Sequence, residues 1–162
     1  MEVRKTVPGD LERMEEIYAA ARAFMKETGN PNQWGDHHPA RAILEDDIAK
    51  GQSYVCVEGG KVVGTFCFYV GEEPTYAVIR EGTWQNDKPY GVIHRVASDG
   101  TVHGVTKACI DFCFAQWPNL RIDTHRLNTP MRGAVLKNGF TYCGLITVED
   151  GSERLAYQRC EE

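Results

Sequence analysis

The sequence predicts an α/β fold, a mixed sheet of the α+β kind flanked by about four helices, and three features carry that expectation. Apolar residues alternate between a period of two and a period near 3.6, in the order β-α-α-β-β-β-α-β-α-β-β. The strand-helix-strand unit from Tyr90 to His125 implies one parallel strand pair, with helices on both faces of the sheet. At 162 residues, the chain has the length of one domain, 1–162. A domain of that size buries roughly 70% of its unfolded surface without a metal or disulfide staple.

Met1 to Val7 alternates as a short strand, and Pro8-Gly9-Asp10 breaks it with Asp10 as the expected N-cap. From Leu11 the residues Met14, Ile17, Tyr18, Ala21, Phe24 and Met25 recur at helical spacing, so a helix is predicted to about Thr28. A polar loop follows, and Pro39 suits the first turn of a second helix ending near Gly51. Tyr54–Val57 and Val62–Val70 read as a hairpin around Gly59-Gly60. Gly71 to Asp87 is irregular and reads as a flap. Tyr90 to Ala97 is a strand, and a nearly apolar helix runs to about Gln116, its polar stripe reduced to Lys107, Asp111 and Ala115. Leu120 to His125 is a strand, Thr129 and Pro130 are the expected N-cap and N1 of a short helix, and Gly139 closes that helix. Phe140–Glu149 and Glu153–Cys160 form a terminal strand pair around Asp150-Gly151.

Composition narrows the function classes. With 42% hydrophobic and 25% charged residues, this is an ordinary globular chain. A net charge of −5 argues against a general nucleic-acid binder, and no run is apolar enough to span a bilayer. No leader is legible at Met1–Lys5, so the expected location is cytoplasmic, with neither nucleic acid nor membrane as partner. The cysteines at 56, 67, 109, 113, 143 and 160 show no CxxC spacing, and all but Cys160 lie in apolar stretches. That pattern reads as free buried thiols rather than a zinc or thiol-redox centre.

The stretch Val96-Ala97-Ser98-Asp99-Gly100-Thr101-Val102-His103-Gly104-Val105-Thr106 ends a strand, crosses a small-residue loop and opens a buried helix. Such a junction leaves N–H groups unpaired at the positive end of a helix dipole, which suits a pyrophosphate. Many glycine-bearing strand-to-helix turns bind nothing, so both readings stand at this point.

This stretch, with Asn128 and Lys137-Asn138-Gly139-Phe140, resembles the GNAT superfamily of acetyl-coenzyme A-dependent N-acetyltransferases, particularly its small bacterial members. The family pattern is V-x-P-x-x-[QR]-x-x-G-x-[GA], then N-x(6)-Y-x-K-x-G-F. Val96, Gly104, Asn128, Lys137, Gly139 and Phe140 fall on it, and the element order matches over nearly the whole chain. The resemblance implies acetyl-coenzyme A as co-substrate and no metal. It also implies a primary amine of a small molecule or peptide as acceptor, with direct attack in a ternary complex. The Val96 N–H would polarise the thioester carbonyl, and the strand end at Val96 and Ala97 would pair with the pantetheine arm. The loop and helix start from Thr101 through Val102, His103, Gly104, Val105, Thr106 and Lys107 would hold the pyrophosphate. Asn128 would bond the pantetheine, and Lys137 would lie near the nucleotide.

Departures from the pattern include Thr101 for Gln or Arg, Thr106 for a second small residue, and Val135 for the tyrosine that reprotonates the thiolate. His94 is the candidate base, expected on the same strand face as Val96; the competing reading is a histidine hydrogen-bonded between sheet and helix. Arg95 is expected on the opposite face in an ion pair or as a carboxylate anchor. Gln33 and Trp34, in the first inter-helix loop, and Tyr76 and Trp84, in the flap, are the candidate acceptor-binding residues. A non-catalytic acyl-coenzyme A sensor is the alternative that Val135 favours. A homodimer through the terminal strands is a candidate assembly by fold analogy.

Overall fold

A computed structural model of the chain describes residues 1–161. The elements follow the predicted order: β1 (Glu2–Lys5), α1 (Leu11–Glu27), α2 (Arg41–Ala49), β2 (Ser53–Glu58), β3 (Lys61–Val70), β4 (Gly91–Ser98), α3 (Val105–Gln116), β5 (Asn119–Thr124), α4 (Thr129–Lys137), β6 (Thr141–Thr147) and β7 (Glu153–Cys160). The strands form one seven-stranded mixed sheet in the order β1-β2-β3-β4-β5-β7-β6. Its parallel pair is β4 with β5, as the strand-helix-strand unit requires.

Helices cover both faces, and adjacent residues of β2 report which covers which. Val55 packs with Met14, Ile17 and Tyr18 of α1 and Leu44 of α2. Its neighbour Cys56 points the other way, against Cys109 and Ile110 of α3. The seat of α3 depends on Gly64 in β3, where a Cβ would come within 2.4 Å of Val105 Cγ1. That close approach fixes the N-terminal turn of α3 against the sheet. Five cysteines are buried and Cys160 is partly exposed, all as free thiols.

Three expected helix starts differ in detail. Asp10 has helical angles, and its carboxylate accepts the Val7 N–H at 2.9 Å and pairs with Arg4. Asp10 holds the N-cap position of α1 as expected, but its carboxylate closes the preceding 3-10 turn at Pro8–Asp10 and accepts nothing from α1. Pro39 is buried ahead of α2, whose N-cap is the extended Ala40. On α4 the cap is Asn128, whose Oδ1 accepts the Met131 N–H at 3.2 Å; Thr129 is already helical.

The decisive irregularity lies in β4. Its register against β3 steps from Thr65↔Ala97 to Cys67↔His94, placing an extra residue on β4, and Arg95 has φ +55°. Toward β5, pairing stops after Val92↔Arg121. Beyond that point β4 and β5 separate, and among the described residues neither Arg95 nor Val96 has a partner in either neighbouring strand.

Candidate active site

The gap between β4 and β5 opens into a cavity of about 1070 Å³ that reaches both faces of the sheet. Val96, Ile122, Thr124, Asn128 and Met131 line it on the α3 and α4 side. On the other side lie Gln33 and Trp34 from the first inter-helix loop, Asp46 and Asp47 from α2, and Tyr69, Glu73, His94, Arg95, Asp123 and Arg154.

The bulge redistributes the strand residues. Ile93 and Val96 both pack toward α3, whereas Ala97 packs toward α1. His94 faces the Tyr69 and Tyr76 rings, at centroid distances of 6.0 and 6.3 Å. His94 and Val96 therefore point to opposite faces, contrary to simple alternation, because the extra residue at Arg95 inverts the period. Arg95, expected opposite His94, borders the same cavity. Its guanidinium holds Asp47 through two hydrogen bonds, of 2.7 and 2.9 Å, and its carbonyl accepts the Tyr18 hydroxyl at 2.7 Å. Asp47 is only 6% exposed for that reason.

Electrostatics separate the titratable groups. Burial, helped by the Arg95 charge, pulls the His94 imidazole down to about 4, although Glu73 lies 3.8 Å from its Nε2. His94 is therefore neutral near pH 7 and a weak base. Burial pushes the Asp123 carboxyl up; the Tyr76 hydroxyl, donating to Oδ2 at 2.7 Å, and the Arg154 charge offset part of that rise. Asp123 combines cavity access with raised basicity, and position alone in β5 does not reveal this. Its partner, Tyr76, comes from a flap that sequence cannot register.

The flap itself is fixed. Tyr76 is 1% exposed, and Trp84 packs on it at 5.2 Å while donating its indole N–H to the Tyr76 carbonyl. Arg121 stacks between Trp84 and Tyr90, at 4.1 and 3.9 Å, and donates to the Asn86 carbonyl. Neither Tyr76 nor Trp84 lines the cavity, so the expected direct contact with acceptor gives way to packing beneath it. Gln33 and Trp34 do line it; Trp34 sets its edge against Tyr18 at 5.5 Å.

The loop before α3 is partly committed. Asp99 accepts both the Thr101 N–H at 2.9 Å and its hydroxyl at 2.6 Å, and pairs with Arg13. Thr101 is thus occupied, which removes it as an anion donor. The N–H groups of Val102, His103, Gly104, Val105, Thr106 and Lys107 have no protein acceptor among the described residues. Gly104 holds the N-cap at φ +87°, a conformation other residues adopt at a cost. The Lys107 side chain pairs with Asp111.

Further along, Asn128 caps α4 with Oδ1 and donates from Nδ2 to Gln33 Oε1 at 3.0 Å, joining the two sides of the cavity and leaving one amide hydrogen free. Lys137 is exposed on the last turn of α4. Val135 is fully buried in the core. Thr124, 1% exposed, carries a buried hydroxyl without a partner at the edge of the gap.

No family profile and no curated protein matches the sequence. Solved structures do. An acetyltransferase of the GNAT family from Streptococcus agalactiae is 30% identical, with a TM-score of 0.91 over 99% of this chain and 95% of that one. The chain belongs to the GNAT family of acetyltransferases. A likeness to an acetyltransferase from Staphylococcus aureus, 23% identical with a TM-score of 0.70 over 99% of each chain, shows the GNAT fold alone. So does a GNAT-like decarboxylase in complex with isobutyryl-CoA, 13% identical with a TM-score of 0.64 over 99% of each chain. As a GNAT protein, the chain is an acyltransferase of the acyl-coenzyme A-dependent kind. Among the described residues, no helix is long and apolar enough to cross a membrane.

Proposed function

We propose that the protein is an N-acetyltransferase moving an acetyl group from acetyl-coenzyme A to a primary amine by direct attack. The observation that carries this reading is the cavity at the β4–β5 gap, which brings the unpaired strand end at Val96 together with a carboxylate-bearing chamber. The residues fit such a co-substrate. Free N–H groups from Val102 to Lys107 suit a pyrophosphate, and the orphaned Thr124 hydroxyl lies where a pantetheine arm would need a polar partner. When bound, acyl-coenzyme A supplies an activated thioester carbonyl.

The chain's own groups divide the remaining work. The unpaired strand end at Val96 offers its N–H to the carbonyl oxygen as charge develops there. Asp123 attracts the acceptor ammonium and takes the proton that the nitrogen must lose as the N–C bond forms and the C–S bond breaks. His94, held neutral, walls the chamber. Val135 provides no proton, so the thiolate departs as such, which is tolerable because thiols are far more acidic than alcohols or amines.

Calorimetric titration with acetyl-coenzyme A and free coenzyme A tests the first half, and thiol release across an amine panel tests the second. Micromolar binding with amine-dependent thiol release is expected. No binding at millimolar ligand overturns the reading; binding without release from any amine reduces it to an acyl-coenzyme A-binding domain.

A further inference from the structure

The cavity contains three cationic side chains, and two of them are neutralised within the protein. Lys50 pairs with Asp46 at 2.8 Å, and Arg95 is doubly bonded to Asp47. Arg154 differs. It is 8% exposed, and its NH1 donates to Ser152 Oγ at 2.8 Å and to the Glu153 carbonyl at 3.0 Å. Among the described residues, no carboxylate lies within 4.0 Å of its guanidinium. Nε and NH2 have no protein acceptor and are not sealed from solvent, so both are open to a ligand in the cavity.

Its position relative to Asp123 is fixed by register. Asp123 pairs with Ala156, two residues from Arg154 on the same face of β7. Diagonal neighbours of this kind have backbones about 7–8 Å apart, near enough for both side chains to meet one small molecule, and the two make no ion pair with each other. The chamber thus presents a carboxylate and a guanidinium without a direct carboxylate partner side by side.

Resting on the acetyltransferase reading above, we infer that the acceptor is an amino acid: its ammonium meets Asp123 and its carboxylate meets Arg154. A planar guanidinium with two free donors matches a carboxylate in charge and geometry. An acceptor amine lacking an anionic group would leave those Arg154 donors to solvent alone.

The test measures kcat/KM, with acetyl-coenzyme A, for the common L-amino acids and for their carboxamides, which keep the amine and lose the anion. The expected result is a preference of about 10- to 100-fold for at least one free amino acid over its carboxamide. In Arg154→Met that preference collapses toward unity, and in Arg154→Lys part of it returns. Because Arg154 also braces the β6–β7 turn, the wild-type preference stands as a measurement that needs no variant. Transfer to carboxamides as fast as to every free amino acid overturns the inference while leaving the acetyltransferase reading intact. Failure of all amines to release thiol overturns both.

Discussion

The two sides of the β4–β5 gap are made of different material. On the α3 side, the surface proposed to bind the co-substrate is largely backbone: N–H groups from Val102 to Lys107 and the unpaired strand end at Val96. On the opposite side it is largely side chains, brought together from β3, α2, β4, β5, β7 and the flap. A backbone surface tolerates substitution provided the φ angles and the helix start survive, which is why Thr101 and Thr106 need not abolish it. A side-chain surface is specific, and two of its charged groups, Arg95 and Asp123, are held in position by partners from other elements, Asp47 and Tyr76.

Several substitutions probe that division. The largest effect is expected at Asp123, where Asp123→Asn should lower turnover about 10²- to 10⁴-fold without weakening acetyl-coenzyme A affinity. The companion variant Tyr76→Phe removes the hydroxyl that stabilises the charged carboxylate, so the Asp123 pKa rises further. The acid limb of the kcat/KM profile should then move to higher pH. The groups facing Asp123 are Tyr76 from the flap and Arg154 from β7, and Arg154 is unchanged in this variant. An unmoved limb would remove Asp123 as the proton acceptor.

Next in size, Asp47→Ala leaves the Arg95 guanidinium, 19% exposed, without its partner. Breaking a buried pair on one side costs about 3 kcal/mol, measurable by urea unfolding; a loss below ~1 kcal/mol would show that the pair is dispensable.

His94 gives a pH test of the side-chain half. Its folded pKa, about 4, lies below the unfolded value near 6.5, so the unfolded chain binds more protons between those values. Stability should therefore be fully present above pH 6.5 and fall as pH drops toward 4, by roughly 2–3 kcal/mol. His94→Gln should flatten that fall. Asp123, whose raised pKa acts in the opposite sense, contributes equally to both proteins and drops out of the difference. Identical pH profiles would mean that the imidazole is well solvated.

The smallest effect tests the backbone half. Gly104→Ala places a Cβ at φ +87°, where nothing lies within 4 Å, so conformation alone is perturbed. A cost of about 1 kcal/mol is expected, with acetyl-coenzyme A affinity falling several-fold as the N–H groups reorient. Unchanged affinity by calorimetry would shift the anion site away from the α3 N-terminus.

Legibility in the sequence follows the same line. The element order was readable because burial imposes periods of two and 3.6 on Val, Ile, Leu and aromatic residues. The turn at Gly104 was readable because a positive φ selects glycine. The faces of His94 and Val96 were not readable, since one inserted residue in β4 reverses every later side chain without any mark in the sequence. Tyr76 and Trp84 were legible as flap aromatics but not as the packing beneath the chamber, because their contacts with Asp123 and Arg121 span long stretches of chain. Arg154 left one trace: a cation at the same strand parity as the buried Ala156 and Gln158, which period-two reasoning marks as inward-facing.

By itself, then, the sequence determined what depends on local chemistry: the strands and helices, the parallel crossover, the glycine-capped start of α3 and the loss of tyrosine at Val135. Only the tertiary structure decided which charges are neutralised and which remain open. The pairing of Arg95 with Asp47 and the absence of a partner for Arg154 depend on distances between elements far apart in the chain, and no local pattern encodes those distances.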